Sequence, residues 1–191
     1  MDRLLVLALL AVGGFIAWRR GMLDKLLPIG SANAFALPAF NVASSSTGGG
    51  AAYLPPSGAL PYLAAIRQAE RANGIPADLL VRLLDQESRY RADVIDGRVS
   101  SRVGAKGIAQ VMPATAKAPG YGVPPLPNPL DPFASIAWAA KYLAALRARF
   151  GNWSQALAAY NFGPGNVIAG KAWPTETRNY VAQITRDVKV A

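Results

Sequence analysis

From Pro61 onward the apolar residues of this chain recur at helical spacing, and few stretches alternate as a strand does. Tyr62, Leu63, Ile66 and Ala69 mark a short helix closed by Asn73-Gly74. Pro76 suits the first position of a second helix, whose apolar stripe runs Leu80, Leu83, Leu84. A broken, glycine-rich region follows from about 91 to 107, and Pro113 starts a short helix. A proline-rich loop over 119–132 leads to a strong helix over 133–150, where Ile136, Ala140, Leu143, Leu146 and Phe150 share a face. Helical stretches near 154–161 and 175–189 follow. The pattern predicts a mainly α globule over 61–191, long enough to bury a core.

The residues before Pro61 read differently. Leu4 to Trp18 is uninterruptedly apolar and ends at Arg19-Arg20, which makes 1–27 a hydrophobic anchor segment. As a helix this run rises only about 22 Å, short of the roughly 30 Å hydrocarbon core. Local thinning and snorkelling by Arg3 and Arg19 offset the deficit. The same length fits a signal-peptide core with a small-residue site at Ala32-Asn33-Ala34, or a buried helix. The charged stretch through Arg19, Arg20, Asp24 and Lys25 disfavours cleavage, so a retained anchor contacting membrane through 4–18 is the expectation. Residues 28–60 are rich in Gly, Ser, Ala and Pro and read as a flexible tether.

Composition narrows the chemistry. The chain has no cysteine and no histidine. That excludes Ser-His-Asp and Cys-His nucleophiles, disulfides, and zinc sites built on His or Cys. Acid/base work falls to Asp, Glu, Tyr or Lys. Glu70, Glu87 and Glu176 are the only glutamates. The formal charge of +9 suits an anionic polymer or membrane surface, or serves solubility alone. No nucleic-acid-binding motif accompanies it, so no nucleic-acid partner is expected.

Glu87 stands at i+7, i+4 and i+3 from Leu80, Leu83 and Leu84, which puts a carboxylate on the core-facing stripe near a helix end. Desolvation there raises a carboxyl pKa, as a general acid at a glycosidic oxygen requires. On position alone a solvated helix end fits as well. Ordinary glycoside hydrolysis uses two carboxylates. Asp85 lies roughly on the opposite helical face, and Asp93 and Asp96 lie in the loop beyond; none has a distinctive setting. Tyr121, Trp138, Tyr142, Trp153, Tyr160, Phe162, Trp173 and Tyr180 all fall in this domain, where aromatic rings either pack on the apolar faces of sugars or fill a core; Trp138 and Tyr142 fall at core spacing. Asn161-Phe162-Gly163-Pro164-Gly165 ends a helix abruptly, as a cap or as a close approach to a ligand. Gly104-Ala105-Lys106-Gly107 lacks the spacing of a phosphate loop.

Four motifs in order resemble the catalytic domain of soluble-type lytic transglycosylases. They are Gln86-Glu87-Ser88, the stretch from Gly104-Ala105-Lys106-Gly107 through Gln110-Val111-Met112-Pro113 to Ala116, Ala159-Tyr160-Asn161-Phe162-Gly163, and Pro174 to Val181. The connecting Asn128-Pro129-Leu130-Asp131-Pro132 also fits. The similarity covers about 61–191 and implies a goose-type-lysozyme-like fold. Two departures stand out. The family usually carries Met or another large residue where Ala109 stands, which implies a roomier cleft. The loop from Asp93 to Ser101 is longer than usual, and Ser101, or else Ser100, takes the place of a family serine near the catalytic glutamate.

The resemblance implies a mechanism on peptidoglycan glycan strands. Glu87 protonates the oxygen of the β-1,4 bond between N-acetylmuramic acid and N-acetylglucosamine. The muramyl acetamide oxygen stabilises the anomeric carbon, and Glu87 then takes the proton of the sugar's 6-hydroxyl as a 1,6-anhydro ring closes. No metal or cofactor enters. By the same resemblance Ser88 and Tyr180 orient Glu87, while Gln110, Tyr160 and Asn161 bind the sugar or its acetamide. A same-fold hydrolase and a non-catalytic wall-binding protein are the rival readings. The substrate places the domain on the periplasmic or cell-wall side, yet Arg19, Arg20 and Lys25 favour a cytoplasmic C-terminus. Delivery within a phage virion resolves that conflict, as does export despite the charges.

Overall fold

The computed structural model describes residues 53–101 and 103–190. The apolar run 4–18 and residues 28–52 of the tether lie outside the described residues. Among the described residues no helix is long and apolar enough to cross a membrane.

A 3-10 helix at Ser57–Tyr62 precedes helices α1 (Leu63–Ala72), α2 (Leu79–Ser88), α3 (Ala92–Ile95), α4 (Pro113–Lys117), α5 (Pro132–Phe150), α6 (Trp153–Phe162), α7 (Pro164–Ile168) and α8 (Thr175–Thr185). The β structure among the described residues is a single antiparallel bridge, Lys106 with Val111. The mainly α expectation therefore holds for the described residues.

The long helix α5 forms because both ends are chemically specified. Asp131 caps it, its carboxylate accepting from the Phe133 and Ala134 N–H groups at 2.9 and 3.1 Å, and Pro132 follows where its missing N–H costs nothing. Gly151, at φ 87°, ends it. Asn152 then caps α6 through the Gln155 N–H at 2.8 Å. Helix α5 packs against α6 and α1, and α6 against α7 and α8. Leu79, Leu80, Leu83, Leu84, Leu143, Leu146, Leu157 and Ile184 are fully buried where these helices meet.

Helix α2 begins later than Pro76 suggests. The Leu79 N–H closes a turn onto the Pro76 carbonyl at 3.1 Å, and Asp78 holds φ 71°, so helical geometry starts only at Leu79. Asp78 makes no side-chain cap. Glu70 of α1 supplies it instead, its carboxylate accepting from the Leu80 N–H at 3.0 Å. The body also reaches upstream of Pro61. Ala59 is 0% exposed within the core, and a Cβ at Gly58 would meet the Tyr90 Cβ at 2.9 Å. The Arg82 guanidinium lies 4.0 Å from the Tyr53 ring centroid.

Candidate active site

Glu87 sits one residue before the end of α2, on the stripe with Leu80, Leu83 and Leu84. It is 4% exposed, so its carboxylate is an interior group. The chain leaves sharply after it. Arg89 and Tyr90 both hold positive φ, 54° and 52°, in the left-handed region that non-glycine residues seldom take. Several contacts impose this turn. The Arg89 N–H donates to the Asp85 carbonyl at 3.0 Å. The Tyr90 N–H donates to Ser88 Oγ at 3.2 Å, and the Tyr90 hydroxyl donates to the Val81 carbonyl at 2.8 Å. Strain of this kind persists only where surrounding structure over-determines it. Here it leaves Glu87 at a helix end facing α8.

From α8 the Tyr180 hydroxyl donates to Glu87 Oε1 at 2.6 Å. This bond joins two residues 93 positions apart, and the packing of α2 on α8 makes it possible. Beside it, Tyr160 of α6 donates its hydroxyl to the Ala109 carbonyl at 3.0 Å. Its pKa lies well above the usual tyrosine value because of burial first and the Glu87 charge second. Tyr160 and Glu87 therefore share one electrostatic environment.

Ala109 belongs to a tight loop closed by the Lys106–Val111 bridge, whose two N–H groups donate across it at 3.1 and 3.0 Å. Gly107 and Gln110 turn the loop at φ 70° and 46°. Gly107 is required there, since a Cβ would stand 1.9 Å from the Pro129 carbonyl oxygen. Gln110 is buried and spends its Nε2 on the Gly107 carbonyl at 2.9 Å. Asn161, also buried, accepts from Thr177 Oγ1 at 2.8 Å. The opposite ends of these two amides, Gln110 Oε1 and Asn161 Nδ2, are buried without a hydrogen-bond partner among the described residues.

Of the residues singled out in the sequence, Tyr180 reaches Glu87 directly. Ser88 does not address it through an observed bond: its hydroxyl donates to the Leu84 carbonyl at 3.1 Å and accepts from Tyr90 N–H, shaping the turn. Ser101 accepts from the Ala105 N–H at 2.6 Å and steadies the loop before Lys106, whereas Ser100 is exposed. Ala109 is fully buried, and its carbonyl carries its contact with Tyr160. The three aspartates weighed as a second carboxylate each meet an arginine. Asp93 pairs with Arg91 at 2.5 Å, and that hydrogen bond holds its carboxyl below the usual range. Asp96 pairs with Arg98 at 2.7 Å and Asp85 with Arg89 at 3.3 Å. Sequence reasoning missed Thr177, which fixes Asn161; a threonine inside a helix gives no signal of that contact. No group of three or more metal-ligating side chains occurs among the described residues.

Residues 64–180 match the family described as the transglycosylase SLT domain. The chain belongs to that family. Its SLT domain thus spans both halves of the Glu87–Tyr180 pair. A transglycosylase of Enterobacteria phage PRD1 is 29% identical over 134 residues, which are 70% of this chain and 45% of that protein. The soluble lytic murein transglycosylase of Escherichia coli K12 is 37% identical over 103 residues, 49% of this chain and 15% of that protein. The chain therefore spans less than half the length of either relative. Among solved structures, an inactive Glu-to-Gln mutant of the lytic transglycosylase Slt from Pseudomonas aeruginosa matches with a TM-score of 0.54 and 28% identity. That match covers 65% of this chain and 23% of the other.

Proposed function

We propose that this protein is a peptidoglycan lytic transglycosylase in which Glu87 is the single acid/base. The observation that carries the reading is the interior Glu87 carboxylate gripped by the Tyr180 hydroxyl at 2.6 Å within an SLT domain. Glu87 in its acid form donates its proton to the oxygen of the β-1,4 bond between N-acetylmuramic acid and N-acetylglucosamine. The acetamide oxygen of the muramyl sugar covers the anomeric carbon as that bond breaks. Glu87, now a carboxylate, accepts the proton of the 6-hydroxyl, whose oxygen bonds to the anomeric carbon and displaces the acetamide oxygen. The pairing of Asp85, Asp93 and Asp96 with arginines supports a route with one carboxylate. Substrate-assisted chemistry is the recognised exception to the two-carboxylate rule.

The two half-used amides fit the substrate group that this mechanism needs. An acetamide has one N–H and one carbonyl. Gln110 Oε1 accepts the first, and Asn161 Nδ2 donates to the second. Tyr160 lines the same pocket, Tyr180 positions Glu87, and Ser88 and Ser101 hold the two loops that frame it.

The test is Glu87→Gln, assayed by turbidity loss of purified sacculi with the melting temperature taken alongside. The amide neither donates to the leaving oxygen nor accepts from the 6-hydroxyl, so activity falls by at least about 10²–10⁴-fold. The fold keeps its melting temperature or gains slightly, because an interior carboxylate is costly to desolvate. Retention of more than about a tenth of the activity overturns the acid/base role. Product masses decide the reaction type: anhydro ends support the lyase, reducing ends the hydrolase, and no release the wall-binding reading.

We also propose that residues 4–18 anchor the chain in a membrane and that the SLT domain works on the wall side. Similarity to a transglycosylase of a phage supports carriage in a virion. Protease treatment of spheroplasts and of purified virions is expected to digest or locate the domain outside the cytoplasm. Full protection in the cytoplasm, with no virion association, contradicts this placement.

A further inference from the structure

The loop between α4 and α5 ends in an unusual tip. Gly120, Tyr121 and Gly122 all hold positive φ, at 73°, 53° and 73°. The Val123 N–H donates to the Gly120 carbonyl at 3.0 Å, closing a turn with Tyr121 and Gly122 at its centre. Turns with two central residues at positive φ favour Gly, Asn or Asp, and a bulky aromatic there is strained. Tyr121 is nevertheless 37% exposed, so core burial does not account for it.

The base of the tip is pinned. Trp138 Nε1 donates to the Pro124 carbonyl at 2.8 Å. The Leu126 N–H donates to the Ala116 carbonyl at 2.8 Å, and the Leu126 side chain is buried. Beneath the tip runs a row of rings. Tyr121 leans on Tyr142 with centroids 6.5 Å apart and planes at 54°. Tyr142 is buried, stacks on Trp138 at 4.9 Å, and meets Tyr160 at 5.8 Å. Tyr160 is the ring that shares Glu87's environment. A row of ring contacts thus runs from Tyr160, whose hydroxyl holds the Ala109 carbonyl, through the buried Tyr142 to an exposed ring. Residues 118–127 carry no charge on a chain of net charge +9, so the rim addresses a neutral ligand with an apolar face.

We propose that Tyr121 is a saccharide-stacking platform at the rim of the cleft, taking a sugar ring of the glycan strand beyond those held at Glu87. The proposal rests on the glycan-cleaving reading above. The C–H face of a pyranose covers an aromatic face without needing a charge, and a preformed tip adds little ordering cost on binding.

The experiment measures binding apart from cleavage. Full-length chain carrying Glu87→Gln is titrated with β-1,4-linked N-acetylglucosamine oligosaccharides from the disaccharide to the hexasaccharide. Tyr121→Gly is then added; glycine relaxes this backbone, so a melting temperature at or above the parent's shows that the fold is intact. The dissociation constant for the longest oligosaccharides is expected to rise roughly three- to tenfold, that for the disaccharide to stay unchanged, and Tyr121→Phe to restore the parent values. Unchanged binding throughout the series overturns the platform, as does an equal loss for short and long oligosaccharides, or no binding by the parent. If the protein without these substitutions releases nothing from sacculi while Tyr121→Gly still weakens only the longer oligosaccharides, the cleavage reading fails and the platform stands.

Discussion

Tyr180 bears on Glu87 through its hydroxyl. Its hydroxyl is the donor seen on Glu87 Oε1, and its ring is 2% exposed between α2 and α8. Tyr180→Phe keeps the ring and removes the donor. We expect kcat on glycan to fall about ten- to a hundredfold, the usual worth of a hydrogen bond to a charged group. The melting temperature should move little, since the packing is retained. A variant with undiminished kcat would show that Glu87 is oriented by other contacts. At the same scale, the place of Ser88 next to Glu87 in the chain left the contacts of its hydroxyl open. A serine beside a catalytic acid has the same sequence signature whether its hydroxyl meets the acid or the backbone, and here it meets Leu84 and Tyr90.

At the scale of elements, α1 governs how α2 begins. Glu70 is 2% exposed, pairs with Arg67 at 2.9 Å and caps α2 at the Leu80 N–H. Arg67 also bonds Asp78, so the capping acid belongs to a small ionic network at the α2 start. Burial, outweighing Arg67 and the backbone donors, raises the Glu70 pKa above its ordinary value. A carboxyl that holds its proton more tightly in the folded state adds stability below the unfolded pKa, about 4.3, and loses it as pH rises through the folded value. We therefore expect the melting temperature of the parent, relative to Glu70→Gln, to fall between about pH 4 and neutrality. A difference that is flat or rises with pH contradicts this. Glu70→Ala, which leaves the Leu80 N–H without its cap, should cost about 1–2 kcal/mol. Activity per folded molecule should persist in both variants.

At the scale of the whole molecule, the folded body extends upstream of Pro61. Ala59 lies in the core, Gly58 abuts Tyr90, and Tyr53 packs on Arg82 of α2. The division proposed from composition is 1–27, 28–60 and 61–191, and these contacts lie just on the upstream side of its second boundary. We expect a chain beginning at Tyr53 to digest sacculi as the full chain does per folded molecule, with its melting temperature retained. A chain beginning at Pro61 should melt lower, because the Ala59 and Gly58 contacts with the core and Tyr90 are gone. An inactive but folded chain from Tyr53 would show that upstream residues take part in catalysis.

The sequence by itself determined the helical class, a side-chain inventory without histidine or cysteine, and the place of Glu87 on an apolar stripe. These are local properties: periodicity, capping residues and side-chain inventory act within a few positions. Asp131, Pro132 and Gly151 bound α5 in just this way. Tertiary structure alone decided which groups meet. The Tyr180 bond spans 93 residues and the Tyr160 bond to Ala109 spans 51. No local pattern encodes such separations, because they arise from how α2, α6 and α8 pack. The same holds for the α2 start, where Pro76 carried the local signal and a distant carboxylate, Glu70, carried the cap. It holds too for Tyr121, whose left-handed backbone between two glycines becomes meaningful only once Tyr142 and Tyr160 stand beneath it.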